Sequence, residues 1–135
     1  MDVLEMTGGE EGFCEAIDRT VLASLRELQD VGDPDIIAEV GGLFVEHSPE
    51  RIEAILQAVE DRDAKGLQVA AHSLKSSSAY VGAMRLSEMS KELEMMGRAN
   101  VMEGAKEKAE RMKAEYVRVR TALDAEIKLA IESGK

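Results

Sequence analysis

His72 and Lys75 stand three residues apart in the stretch VAAHSLKSSSAYVGA, Val69 to Ala83. The chain has only two histidines, and the other is His47. A neutral imidazole is a nucleophile near neutral pH. A lysine three residues on lies on the same side of a helix, where its ammonium can pair with an anion carried by the ring. Phosphoryl transfer asks for little more than positioning and charge neutralisation. A nucleophile, one cation and open space suffice if the partner brings the metal and the remaining acids.

The helix that must carry these residues has two distinct faces. At about 100° per residue, with His72 at the front, Leu67, Ala70, Leu74 and Val81 fall at the back, flanked by Ser77 and Ser78. The back face is the one to be buried. Lys65, Gln68, Lys75, Ser76 and Ala79 share the front with His72, which is therefore predicted to stand on an exposed face. Ser77 and Ser78 read as tight packing residues. His47 reads as a partly exposed structural residue. A His47–His72 metal pair lacks a carboxylate or cysteine at supporting spacing, so no metal site is expected. Met95, Met96 and Met102 read as adaptable core.

The remaining elements follow from apolar spacing and from start and stop signals. Residues 1–12 carry three glycines and no strong period, and read as a flexible tail. Phe13, Ile17, Val21, Leu25 and Leu28 mark one face of a first helix, closed by Gly32. "DPDII" restarts the chain, with Asp33 as N-cap, Pro34 at the first helical position and Asp35 in the first turn. Ile36, Ile37, Val40 and Phe44 follow. "HSPER" repeats the start signal with Ser48 and Pro49, giving either two helices or one long helix bent at Pro49. Gly41-Gly42 inside this region costs about 1 kcal/mol per glycine against alanine, which a close helix contact would explain. The His72 helix begins near Asp63 and ends at Gly82. The next holds Leu86, Met89, Leu93 and Met96 and stops at Gly97. The last runs from about Val101 to Ile131, with Ala105, Ala109, Met112, Tyr116, Val119, Leu123, Ile127 and Ala130 on one stripe. No strand alternation or internal repeat is visible. The expected fold is all-α, an antiparallel four-helix bundle with an additional N-terminal helix, occupying residues 13–132.

Bulk properties narrow the function. The 135 residues suit one core, and 44% are hydrophobic. A net charge of −10 argues against nucleic acid and anionic membrane as partners. No apolar run approaches the roughly 18 residues of a membrane span, and the acidic N-terminus lacks a secretory signal pattern. Cys14 is the only cysteine, so no internal disulfide forms. A cytoplasmic protein is expected, and the initial Met suggests a free-standing one.

The extended pattern around His72 resembles the signature of histidine-containing phosphotransfer (HPt) domains. The match covers Ala71, His72, Leu74, Lys75, Ser77, Gly82 and Ala83. The upstream run from Asp33, with Phe44 and its proline, and the downstream "LSEMSKELE" also resemble the family, so the likeness spans about residues 33–97. The resemblance implies a four-helix bundle with one phosphorylatable histidine and no kinase activity of its own. It implies that His72 is the phosphoacceptor, that Lys75 stabilises the phosphoryl group, and that Gly82 serves close packing at the helix end. Gln68, Ser76 and Ala79 would neighbour the site. The implied partner is the receiver domain of a hybrid histidine kinase, of a response regulator, or of both. Magnesium is expected on that receiver, and this chain needs no cofactor. One departure stands out: Ser76 occupies the position where the family usually has glycine. Serine leaves the nucleophile in place while adding a hydroxyl beside it.

Three rivals remain at this point. The chain could be a helical interaction module whose histidine is never modified, or the phosphoacceptor part of a chemotaxis-type kinase. It could be an enzyme, but it has no GxxxxGK[ST] loop for a nucleotide and no predicted strand for a serine nucleophile elbow.

Overall fold

Aspartates open three of the helices in the computed structural model, which describes residues 16–29 and 35–133. Asp18 accepts a hydrogen bond from the Thr20 amide and starts α1, Arg19–Arg26. Asp35 accepts from the amides of Ile37 and Ala38 and starts α2, Ile36–Glu60. Asp63 accepts from the Gly66 amide and starts α3, Ala64–Tyr80. Each carboxylate satisfies an amide that has no partner within its own helix. α4, Met84–Ala99, and α5, Ala105–Ser133, complete the order. Left-handed residues close α3 and α4. Gly82 at φ +84° lets the Ala83 amide return to the Ser78 carbonyl, and Asn100 at φ +57° does the same for Val101 and Met96.

The four long helices form a closed ring, in which α3 packs on α2 and α4, and α5 packs on α4 and α2. Short connections make successive helices antiparallel. α1 rests on α2. No strand occurs among the described residues. Ile55, Leu67, Leu74, Leu86, Leu93 and Leu123 are fully buried on the axis of this bundle. Each apolar side chain so buried contributes about 1.5–3 kcal/mol relative to exposure. The stripe predicted for the last helix is buried from Ala105 to Leu123 and at Ala130, with Ile127 partly covered.

Several boundaries differ from the sequence expectation. The expected tail, Phe13, Cys14, Gly32, Asp33 and Pro34 lie outside the described residues. The N-cap of α2 is Asp35, not Asp33. In the first helix, Ile17 precedes the Asp18 cap, so the helical phase starts after it. Leu22 and Leu25 form the buried face, while Val21 is half-buried and Leu28 is 73% exposed. Ser48 caps nothing, because α2 runs through Pro49 as one helix. Its hydroxyl is buried 2.8 Å from the Tyr116 hydroxyl of α5, beside the Phe44–Tyr116 ring contact. The continuous buried row Phe44, Ser48, Ile52 and Ile55 holds the helix across the proline. The last helix begins at Ala105, four residues later than expected.

Gly97 does not end α4, which continues to Ala99. A Cβ there would stand 2.6 Å from the Ala64 carbonyl and 2.7 Å from the Gln68 amide of α3. Gly97 is therefore the point where two helix backbones touch. The glycine pair in α2 divides in the same way. A Cβ on Gly41 would meet Ile127 at 3.0 Å, whereas one on Gly42 would meet open space. Gly82 closes α3 as expected, and it also has no room for a side chain, since its Cβ would lie 2.7 Å from the Asp18 carbonyl.

Candidate functional site

α3 presents His72 outward, as its spacing predicts, with 60% of the side chain exposed. Behind the ring stands a residue that the sequence reading did not single out. Glu94 of α4 is only 4% exposed, and its Oε2 lies 2.9 Å from His72 Nδ1. The same carboxylate takes the Lys75 ammonium at 2.8 Å on Oε1 and Arg98 at 3.2 Å on Oε2. One buried acid thus gathers three basic groups.

The contact of α3 with α4 builds this cluster. Ser87, Ser90, Glu94 and Gly97 share the buried face of α4, and small residues on that face let the helices approach closely. Gly97 brings α4 against the turn of α3 that carries Gln68, one turn before His72. Ser87 donates to the Lys75 carbonyl at 3.0 Å, fixing the turn after the histidine. Glu94 and Arg98, three residues before Gly97 and one after it, then fall beside the imidazole.

Its partners keep the buried carboxylate ionised. The hydrogen bond from Lys75 is the largest influence and holds Glu94 below the ordinary carboxylate value, against burial, with His72 assisting. An ionised carboxylate can only accept, so the network assigns the proton to His72 Nδ1. That tautomer leaves the Nε2 lone pair unprotonated and available to a partner.

The other predicted neighbours occupy different stations. Lys75 is 30% exposed and held by Glu94 beside the ring. Gln68 is half-buried and Ser76 exposed, and neither hydrogen-bonds the imidazole. Ala79 is half-buried two turns further along α3, and Gly82 lies beyond it at the helix end. Ser77 bonds back to the carbonyls of its own helix, and Ser78 is fully buried. His47 is exposed. No group of three metal-ligating side chains occurs among the described residues.

The sequence holds a signal for Glu94 in retrospect. It is the one acid on an otherwise small-residue face of α4, four residues after Ser90 and three before Gly97. The apolar stripe Leu86, Met89, Leu93 and Met96 marks a neighbouring face of the same helix. Arg98 follows one turn from Glu94.

Comparison with known proteins bears on the family and the fold. Residues 39–125 match the Hpt domain family. The chain is 35% identical over 80 residues to histidine-containing phosphotransfer protein 5 of Arabidopsis thaliana, an alignment covering 57% of this chain and 48% of that protein. It is 30% identical over 102 residues to histidine-containing phosphotransfer protein 2 of the same plant, covering 73% and 65%. A pseudo histidine-containing phosphotransfer protein 2 of Oryza sativa subsp. japonica is 27% identical over 112 residues, covering 82% and 74%. The chain thus spans about half the length of the first of these relatives. The crystal structure of histidine-containing phosphotransfer protein B (HptB) from Pseudomonas aeruginosa PAO1 superposes with a TM-score of 0.76 at 32% identity, over 85% of this chain and 96% of that one.

Proposed function

The chain belongs to the Hpt domain family, and on that premise we propose that it is a phosphorelay intermediate with His72 as its phosphoacceptor. His72 takes a phosphoryl group from an aspartyl phosphate on a receiver domain and passes it to another. The receiver belongs to a hybrid histidine kinase, to a response regulator, or to both in turn. The observation that carries this reading is the buried Glu94 carboxylate 2.9 Å from Nδ1 of an otherwise exposed imidazole.

The chemistry follows from that contact. The Nε2 lone pair attacks phosphorus in line, forming the N–P bond. The P–O bond to the receiver's aspartate breaks, and its electron pair leaves on the carboxylate. Nδ1 keeps its proton throughout, so the ring gains positive charge as the bond forms. Glu94 is already in place where that charge develops and needs no reorganisation. Lys75 neutralises Glu94 and stands beside the new phosphoryl oxygens. The return step reverses each movement, with a second receiver's aspartate as nucleophile.

Magnesium belongs to the receiver's half of the site in this reading, and the chain acts as a carrier rather than as a kinase. No described helix is long and apolar enough to cross a membrane, which supports a cytoplasmic place for the relay.

The test is transfer from a panel of phosphorylated receiver domains, with His72→Gln as control. Acid-labile, base-stable label on the wild type alone is the expected result. A folded wild type that neither receivers nor a small phosphoramidate donor can label would overturn the reading.

A further inference from the structure

The α2 side of the site holds a cation unlike Lys75 and Arg98. Arg51 donates its Nε–H to the hydroxyl of Ser73, the residue after His72, and an NH1 hydrogen to the His47 carbonyl at 3.4 Å. Both acceptors are neutral. Among the described residues, Arg51 has no carboxylate within ion-pair distance. The positive charge of Lys75 and Arg98 is shared with Glu94, whereas no carboxylate among the described residues neutralises that of Arg51. Other surface cations, Lys65 and Arg111 among them, also stand without an ion pair among the described residues; Arg51 differs in being tethered to the residue next to His72.

Arg51 also divides the groove between α2 and α3. On one side it lines a hollow of about 230 Å³ with Leu43, Phe44 and Tyr80. On the other it lines an open depression with Val69 and Ser73. Leu43, Val69 and Tyr80 are each more than half exposed. The smaller hollow falls below the roughly 300 Å³ where small-molecule sites begin, and suits a side chain of a docked protein. Ser73 lies about 100° around α3 from His72, toward α2. The guanidinium therefore sits at the rim of the contact face and not on the Glu94 side of the ring.

We propose that Arg51 is a specificity-determining residue, held by Ser73 to pair with a carboxylate on the docking face of the receiver domain. This rests on the phosphotransfer reading and adds the group that selects the partner. Two of the guanidinium's N–H donors are engaged within the chain, leaving the NH2 group and one NH1 hydrogen for a carboxylate. The tether fixes a rotamer-rich side chain before docking and so lowers the ordering cost of the complex. On a chain of net charge −10, a local cation orients the encounter with a carboxylate on the partner.

The test compares second-order transfer rates from phosphorylated receivers into wild type, Arg51→Ala and Ser73→Ala over a range of salt, with phosphoramidate labelling in parallel. Arg51→Ala is expected to slow receiver transfer about tenfold and to flatten its salt dependence. Its labelling by phosphoramidate, which needs no docking, stays at the wild-type rate. Ser73→Ala keeps the charge and loses the tether, for a drop of about two- to threefold with the salt slope retained. Wild-type transfer by Arg51→Ala from every receiver that labels the wild type would overturn the inference alone. So would an equal loss in phosphoramidate labelling, which would place Arg51 on the phosphoryl group or in the fold. A wild type labelled by phosphoramidate but by no receiver would overturn this inference, and one labelled by neither would overturn the reading beneath it as well.

Discussion

Glu94 Oε2 stands 2.9 Å from His72 Nδ1, across 22 residues of sequence and the contact between two helices. The acid is buried and the base is exposed, so the pair spans the boundary between core and solvent. Its tautomeric effect depends on a core-packed residue, and its reactivity on a surface one. Ring orientation, proton position and charge compensation all come from one carboxylate.

Replacing Glu94 by glutamine tests that dependence. The amide keeps the volume and an acceptor oxygen but loses the charge that, in the relay reading, stabilises the phosphorylated ring. A charge-assisted hydrogen bond is worth roughly 1.5–3 kcal/mol, so transfer into His72 should slow by about tenfold or more. Nitrogen chemical shifts of the ring should show a reduced share of the Nδ1–H tautomer. An unchanged rate with an unchanged tautomer would remove Glu94 from the mechanism.

Lys75→Ala should act through Glu94 as well as on the phosphoryl group. Losing the strongest influence that lowers the carboxyl pKa leaves a buried acid with weaker compensation. Stability should fall by about 1–3 kcal/mol, and the lifetime of phospho-His72 should shorten. Urea unfolding and decay of the labelled protein measure the two effects separately. A variant matching wild type in both would leave Lys75 as a solvated surface residue.

Acid should reveal the same carboxylate. Its pKa in the folded chain lies below the ordinary value of 4.5, so the unfolded chain binds the proton first as pH falls. Stability from the ionised form is complete above 4.5, and is lost as pH falls through the folded value. The stability gap between wild type and Glu94→Gln should therefore narrow progressively below about pH 4.5. Urea midpoints for both proteins across that window check the sign, and a gap that widens toward acid would contradict it.

Three of the helical glycines, Gly41, Gly42 and Gly97, should respond differently to alanine. Gly97→Ala forces a methyl into backbone atoms of α3 at 2.6 and 2.7 Å. The helices must separate, at a cost of about 1–3 kcal/mol, and transfer should fall because Glu94 and Arg98 retreat from His72. Gly42→Ala meets nothing and should stabilise by about 0.5–1 kcal/mol. Gly41→Ala presses only on the flexible ends of Ile127 and Leu123 and should fall between them. Thermal melts of the three variants set this order, and a Gly97→Ala protein with wild-type melting and transfer would refute the close-contact account.

Sequence periodicity revealed most of the bundle, for a physical reason. Residues such as Leu67, Leu74, Leu123 and Ala130 repeat at helical spacing because one face must be buried, and Asp63 starts α3 and Gly82 closes it through local backbone chemistry. His72 was legible as exposed by the same logic. Pro49 was ambiguous because a start signal and an interior kink share one composition. Only the burial of Ser48 against Tyr116 of a distant helix decides between them. Gly97 looked like a stop because glycine often is one, and its true constraint comes from Ala64 and Gln68 on another helix. Glu94 and Arg51 act across helix–helix contacts, and spacing along a single helix carries no information about what lies opposite.

A single imidazole with one free nitrogen also sets a rule of occupancy. In the relay reading, donor and acceptor must use the same face of α3, because Glu94 closes the other side of the ring. Two receivers cannot be seated there together, so exchange follows a ping-pong order in which the first must depart before the second arrives. Excess unphosphorylated acceptor then competes with the loaded donor and throttles the chain's own recharging. Throughput is governed by how quickly each partner lets go, so a tighter complex makes a slower relay.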